Sequence, residues 1–184
     1  MLMGLYSLLW GQPRPKRCLY MSNGDSYVTG DLSKLNKFVE GFSKNLHVDI
    51  GILGGNGSTD QGGITLAGLG AVHELGTDKA GRNKDTEIPE RSFIRMPLET
   101  GQDEIISQIE PKVKEYLEKG DTLGLMKLIG VAGEARIKEA FETGGFGKWE
   151  ELKASTIKAK KGSTAILINE GTLRNAITSD VKEN

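Results

Sequence analysis

Cysteine, histidine and long apolar runs are all scarce in this chain of 184 residues, and each scarcity excludes a kind of site. Cys18 is the only cysteine, which excludes an internal disulfide and a metal site built from several thiolates. His47 and His73 are the only histidines, so a zinc site with three protein ligands would need carboxylates from elsewhere in the chain. We therefore expect no bound metal.

The net charge of the chain is close to zero, whereas glycine is abundant. The formal net charge of -1 at pH 7 gives no overall basic character, which argues against free nucleic acid as the main partner. The 25 glycines are about twice the average share, which favours turns and loops. A chain of this length forms one domain more readily than two.

The N-terminal residues form a short apolar run. Residues 1–10 fall far short of the roughly 20 that a membrane helix needs, and the basic residues follow the run, whereas a signal peptide carries them before it. We interpret residues 1–30 as an arm that packs on a neighbour, or as an extension upstream of a start at Met21. A signal peptide or anchor is the alternative. The domain is expected at 31–184, with no membrane partner.

Hydrophobic periodicity divides that domain into helices and strands. Apolar residues three and four apart favour helices, and alternating ones favour half-buried strands. Helices are predicted at 31–46, 65–75, 97–120, 122–143 and 153–161, and strands at 47–53 and 177–182. The predicted fold class is α+β, with a small, mainly antiparallel sheet packed against several helices.

Glycine and proline modify this prediction at several points. Residues 54–63 and 77–87 are expected to be long flexible loops, and residues 88–95 to be extended. Pro111 should kink or break its helix. Gly130 and Gly133 lie on the buried stripe of their helix and indicate the close approach of another backbone.

Motifs for catalysis and nucleotide binding are incomplete. His73-Glu74 begins like a zinc-protease helix, but the second histidine would fall at Thr77. His73 is therefore interpreted as a structural, hydrogen-bonding residue at a helix end. The glycines at 54–57 lack the Lys-Ser/Thr of a phosphate-binding loop, so no cofactor is predicted.

A group of lysines follows Trp149. Lys153, Lys158, Lys160 and Lys161 could form a patch for phosphate or for an acidic partner surface. The alternative is a solvated helix face that a buried tryptophan anchors. The sequence leaves both interpretations open.

Three segments together resemble phage virion morphogenesis and tail-completion proteins. Val72-His-Glu-Leu-Gly-Thr and Ile88-Pro-Glu-Arg-Ser-Phe-Ile-Arg are similar to the family's His-Glu-(aromatic/aliphatic)-Gly and Ile-Pro-x-Arg-x-Phe-(Leu/Ile)-Arg. The third segment comprises Trp149, Ser155-Thr-Ile-x-x-Lys, the aliphatic run 166–168 and Glu170-Gly-Thr-Leu-Arg-Asn-Ala-Ile. The match runs in order through 31–184. This sequence departs from the family pattern at Ala165-Ile166, where the family often has proline and leucine. It also departs at the glycine-rich stretch 54–63.

The resemblance implies a structural virion protein of the neck or tail end of a tailed phage. Such a tail terminator or tail-completion protein forms a homo-oligomeric ring, by family analogy a hexamer, that caps the tail tube and joins it to the head connector. Its partners would be the tail tube protein and a connector or adaptor protein, with DNA only passing through the lumen. It would assemble in the host bacterial cytoplasm and need no catalysis. Alternatives are a head-completion adaptor, a non-virion assembly factor, or a small hydrolase using His73 and Glu74.

This interpretation gives two groups of residues a role. Salt bridges or contacts with subunits and partners are predicted for Arg91, Arg95, Lys160 and Arg174. Structural roles are predicted for His73, Glu74, Pro89, Phe93, Trp149 and Leu173, of which Phe93, Trp149 and Leu173 should anchor the core.

Overall fold

The computed structural model describes residues 33–58, 60–61, 63–81, 83–84 and 86–183. The predicted N-terminal arm and the start of the first predicted helix lie outside them. The elements are α1 (Ser33–Ser43), β1 (Leu46–Ile52), α2 (Gly54–Gly57), α3 (Leu66–Leu75), β2 (Thr77–Ala80), β3 (Thr86–Ile88), α4 (Arg95–Thr100), α5 (Gln102–Lys119), α6 (Thr122–Thr143), α7 (Ala154–Ala159), α8 (Thr172–Asn175) and β4 (Ile177–Glu183).

The predicted α+β class is confirmed, with two small sheets in place of one. The described residues form eight helices and two antiparallel sheets of two strands each. The first sheet pairs β1 with β4, from Leu46 opposite Glu183 to Ile52 opposite Ile177. None of the described helices is both long enough and apolar enough to span a bilayer.

A lysine balances two carboxylates in the β1–β4 sheet. Asp49 lies directly opposite Asp180, an arrangement of like charges that destabilises a strand pair. The Lys182 ammonium donates a hydrogen bond to the Asp49 carboxylate, which lowers the pKa of Asp49 and raises the pKa of Lys182. The charge of Asp180 also acts on Lys182, so the lysine offsets the repulsion between the two carboxylates.

Helix α6 packs across both strands of that sheet, and two glycines allow it to come close. A Cβ atom on Gly130 would lie 2.6 Å from Ser179 Oγ, and one on Gly133 would lie 2.5 Å from Ile50 Cδ1. Both distances are shorter than real contacts, so a side chain at either position would push helix and sheet apart. The sequence predicted the close approach of another backbone, but the atoms that come close at both glycines belong to side chains.

The core lies where the end of α6 meets the segment before α4 and the C-terminal part of the chain. Phe93, Ile137 and Ile177 are almost fully buried there. Phe93 packs against Phe141 with 5.1 Å between ring centroids, and Phe141 meets the edge of Trp149 at 5.9 Å. Such tilted and edge-to-face pairs add to the stabilisation that burial provides.

The helix predicted at 97–120 is two helices, α4 and α5, which meet at Gly101. A Cβ atom at Gly101 would lie 2.3 Å from Arg136 Nε, so glycine makes room for that side chain. Pro111 does not break α5, which runs on to Lys119 and ends at Gly120 in the left-handed conformation. Pro111 and Ser107 both lie on the exposed side of α5, where water can bond the carbonyl that lacks an amide partner.

Both predicted flexible loops contain regular structure, so those predictions were wrong in part. Residues 54–57 form the single turn α2, and Asp60 and Thr65 form an isolated β-bridge. Within 77–87, β2 pairs with β3 as an irregular antiparallel hairpin. Residues 88–95 are not extended throughout, because Ile94 is helical and α4 begins at Arg95.

Candidate functional site

The carboxylate of Glu74 binds the segment that leads into α4. Its Oε1 atom accepts hydrogen bonds from the Ser92 hydroxyl at 2.7 Å and from the Arg95 amide at 3.0 Å. Its Oε2 atom accepts from the amides of Phe93 at 2.7 Å and Ile94 at 2.9 Å. Phe93 and Ile94 precede α4 and Arg95 is its first residue, so these three amides have no partner inside the helix. A residue at the end of α3 thus caps another helix.

Ser92 extends this network to the C-terminal part of the chain. Its hydroxyl oxygen accepts a hydrogen bond from the Met96 amide at 2.9 Å, within α4. Its carbonyl oxygen accepts one from the indole Nε1 of Trp149 at 3.2 Å. Hydrogen bonds thus link all three segments of the sequence resemblance, from Glu74 through Ser92 to Trp149.

Arg91 connects the same segments on the opposite side. Its amide donates to the carbonyl of His73 at 2.8 Å. Its guanidinium donates to the carbonyl of Glu150 from Nε at 3.3 Å and from Nη2 at 3.0 Å. Only 6% of Arg91 is exposed to solvent. A buried cation here is held by a neutral carbonyl group.

A cavity of about 690 Å³ opens beside Arg91. Leu66, Leu69 and His73 of α3 form one wall, and residues 150–156 with Lys160 form another. Leu167 and Leu173 complete the apolar lining. The cavity is therefore lined by the residues of the resemblance and by the lysine-bearing segment.

Positive charge is disfavoured within this cavity. Burial lowers the pKa of His73, and the nearby Arg91 lowers it further. Burial also lowers the pKa of Arg91 itself, which the charge of Glu150 partly opposes. The pKa of Lys160 is lowered first by burial and then by repulsion from Arg91. The charge of Arg91 thus acts on both His73 and Lys160.

Two other predicted site residues, Arg95 and Arg174, do not line this cavity. Arg95 pairs with Glu90 at 2.8 Å on the surface, and Arg174 pairs with Glu142. Both arginines thus form salt bridges within the chain, and their contacts with other subunits stay a prediction. Pro89 lines the cavity between β3 and Arg91.

His73 differs from its predicted role. Its Nδ1 atom is buried and has no hydrogen-bond partner among the described residues, so the hydrogen bond that anchors this position is made by its carbonyl instead. Phe93, Trp149 and Leu173 are buried in the core, as their prediction requires.

Two residues that matter here were not singled out in the sequence. Ser92 lies two residues before Ile94, the residue that directly precedes α4, so it is not at the position where a serine is a typical capping signal. Glu150 contributes its main-chain carbonyl, which carries no side-chain signal at all. Within the described ranges, no group of three or more His, Cys, Asp or Glu side chains is placed to hold a metal ion.

Comparison of the chain with protein-family models, with curated proteins and with solved structures finds no significant match.

Proposed function

We propose that this protein is a structural component of the neck or tail end of a tailed phage, a ring-forming tail terminator or tail-completion protein. The proposal rests on the resemblance of its three segments to that family. In this function it caps the tail tube and joins it to the head connector, and DNA passes through the ring without sequence readout.

The observation that carries the proposal is the network around Glu74 and Ser92. The resemblance spans three separate segments of the chain, and hydrogen bonds from Glu74 through Ser92 to Trp149 join all three in one network. Both oxygens of Glu74 are used to cap α4, which is a structural task. Residues with such roles are those that a structural family needs to keep its fold.

Exposed apolar side chains on α5 and α6 offer a surface for contact between copies. Leu123 and Val131 are 46% and 60% exposed, and with Tyr116 and Leu128 they line a shallow groove, the α5–α6 groove, of about 500 Å³. Large exposed apolar groups that lie together are typical of contact surfaces. In a ring, this groove meets a different surface of the next copy, because a head-to-tail contact closes by rotation.

Deleting the gene from the phage that encodes it tests the function directly. We expect full heads and separate tails that are unfinished or overlong, and purified wild-type virions should contain the protein by mass spectrometry. Normal virions without the protein would disprove the proposal. Full heads that leak DNA beside finished tails would favour the head-completion adaptor, and absence from the wild-type virion would favour the assembly factor.

Negative-stain microscopy of the purified protein tests ring formation. We expect rings with a central lumen, and Val131→Asp in the α5–α6 groove should abolish them. Val39→Asp is the matched control, since Val39 is equally exposed but lies on α1. Rings that persist in Val131→Asp would exclude this groove as the contact surface.

A further inference from the structure

We propose that the cavity beside Arg91 binds a carboxylate, presented by a partner polypeptide on an acidic side chain next to an aliphatic one. We call this site the Arg91–Lys160 cleft, with Arg91, Lys160 and His73 facing the carboxylate and the leucines of the cavity wall facing the aliphatic group. The inference does not depend on the proposed phage function.

Arg91 is unusual among the arginines that the structure describes. Arg95, Arg136 and Arg174 each form an ion pair with a glutamate. Arg91 is the most buried of the four and forms no ion pair with any described carboxylate. A buried charge normally has a charged partner, because desolvation is otherwise uncompensated. The charge of Glu150 opposes this cost only in part and without forming an ion pair, so Arg91 can still take an anion as its partner.

The cleft has further features that an anion would satisfy. Lys160 lines it beside Arg91, and the two cations repel each other. The buried Nδ1 of His73 has no partner among the described residues. A carboxylate between these groups would remove the repulsion and accept charge-assisted hydrogen bonds, which are about twice as strong as neutral ones.

The rest of the lining selects a single carboxylate over a polyanion. Glu87, Glu150, Glu151 and Glu170 also line the cavity, together with Lys153. Their repulsion acts on any anion but grows with its charge, so it is stronger for a phosphate or a nucleic-acid backbone than for one carboxylate. Leu66, Leu69, Leu152, Leu167 and Leu173 provide apolar surface for an aliphatic group. The volume of about 690 Å³ accommodates two or three side chains, within the range usual for ligand pockets.

Nuclear magnetic resonance on the full-length ¹⁵N-labelled chain tests this assignment. The probe is the peptide N-acetyl-Leu-Asp-Leu-amide, and the signal of the Arg91 Nε–H group reports on the site. We expect a saturable shift of this signal, together with a rise in the pKa of His73, since a bound anion favours the protonated imidazole. N-acetyl-Leu-Asn-Leu-amide should bind at least about tenfold more weakly, a difference of about 1.4 kcal/mol.

Variants separate the cleft from general surface charge. Lys160→Gln should weaken peptide binding about fivefold or more, because a charge-assisted contact of roughly 1 kcal/mol is lost. Lys158→Gln is the matched control, since Lys158 lies on α7 outside the cavity lining and is exposed. Arg91→Gln should abolish binding. If the Arg91→Gln variant does not fold, the comparison of Lys160→Gln with Lys158→Gln still tests whether the cleft binds the peptide.

Three results would overturn the proposal. The first is equal binding of the aspartate and asparagine peptides. The second is no saturable shift with the aspartate peptide up to about 10 mM, a concentration at which even a very weak site fills. The third is tighter binding of inorganic phosphate than of the peptide, which would make the cleft a phosphate site.

Discussion

A hydrogen bond of 2.7 Å joins the hydroxyl of Ser92 to the carboxylate of Glu74, across 18 residues of sequence. The same carboxylate also accepts from three successive main-chain amides, so its two oxygens are almost fully used. The His-Glu motif at the end of α3 is therefore a support for the start of α4. The contribution of Glu74 to the stability of the fold can be measured.

Glu74→Gln should lower the free energy of unfolding by about 2–3 kcal/mol, the usual cost of losing hydrogen bonds to a charged group. The new amide nitrogen would face main-chain donors and could not accept from them. Urea unfolding followed by circular dichroism measures the effect. Glu99→Gln is the control, since Glu99 is exposed and only pairs with Arg95 at 3.9 Å. Equal stability of the two variants would show that Glu74 does not cap α4.

Trp149→Phe should cost about 1–3 kcal/mol of unfolding free energy, because the buried carbonyl of Ser92 loses its donor. Trp149→Ala should cost about 3–5 kcal/mol, because it also leaves a cavity beside Phe141. Thermal unfolding followed by circular dichroism compares them. Val131→Ala, on the exposed surface of α6, is the control and should change the free energy of unfolding little. A Phe variant as unstable as the Ala variant would mean that the hydrogen bond carries most of the contribution.

Gly130→Ala should destabilise the fold by about 1–3 kcal/mol, the usual cost of forcing extra volume into a packed interface. Gly133→Ala should cost less, because the atom that its Cβ meets is the flexible end of the Ile50 side chain. Alanine favours a helix by about 1 kcal/mol over glycine, so a net loss of stability isolates the clash with the sheet. Gly55→Ala in α2 is the control, because nothing lies within 4 Å of its added Cβ atom. A gain in stability at Gly130 or Gly133 would contradict the close packing of α6.

His73 should make the fold sensitive to mild acid. Its pKa is lowered in the folded protein by burial and by Arg91, so the unfolded chain binds a proton at a higher pH than the folded one. Unfolding free energy is therefore unaffected above the unfolded pKa of about 6.5 and falls as pH drops below it, until the folded pKa is passed. His73→Gln should lack this loss.

Urea unfolding of wild type and His73→Gln at a series of pH values checks the direction of this effect. The pH range of about 7.5 to 4.5 includes the pKa of histidine in the unfolded chain. The difference in unfolding free energy between the two proteins should move in favour of the variant as pH falls. His47→Gln, a partly exposed histidine on β1, provides the control. A constant difference between wild type and His73→Gln would contradict the lowered pKa.

How much the sequence predicts depends on the range of the interactions involved. The helix Thr122–Thr143 was predicted to the residue, because its apolar period and its terminal glycines are local signals. The 77–88 hairpin was missed because its strands are short and polar and show no apolar alternation. The partners of Glu74 lie beyond any local pattern. A motif shows that a carboxylate matters, but only the fold shows which donors it meets.

The pairing of β1 with β4 has a consequence for how the protein is made. Asp49 and Lys182, which meet across this sheet, are 133 residues apart in the chain. At the usual translation rate, β1 leaves the ribosome roughly 10 s before its partner is synthesised. During that interval the apolar side of β1 has no strand beside it, and α6 emerges first. Helix α6, which packs on β1 where Gly133 meets Ile50, is synthesised before β4 and can therefore cover that side of β1 first.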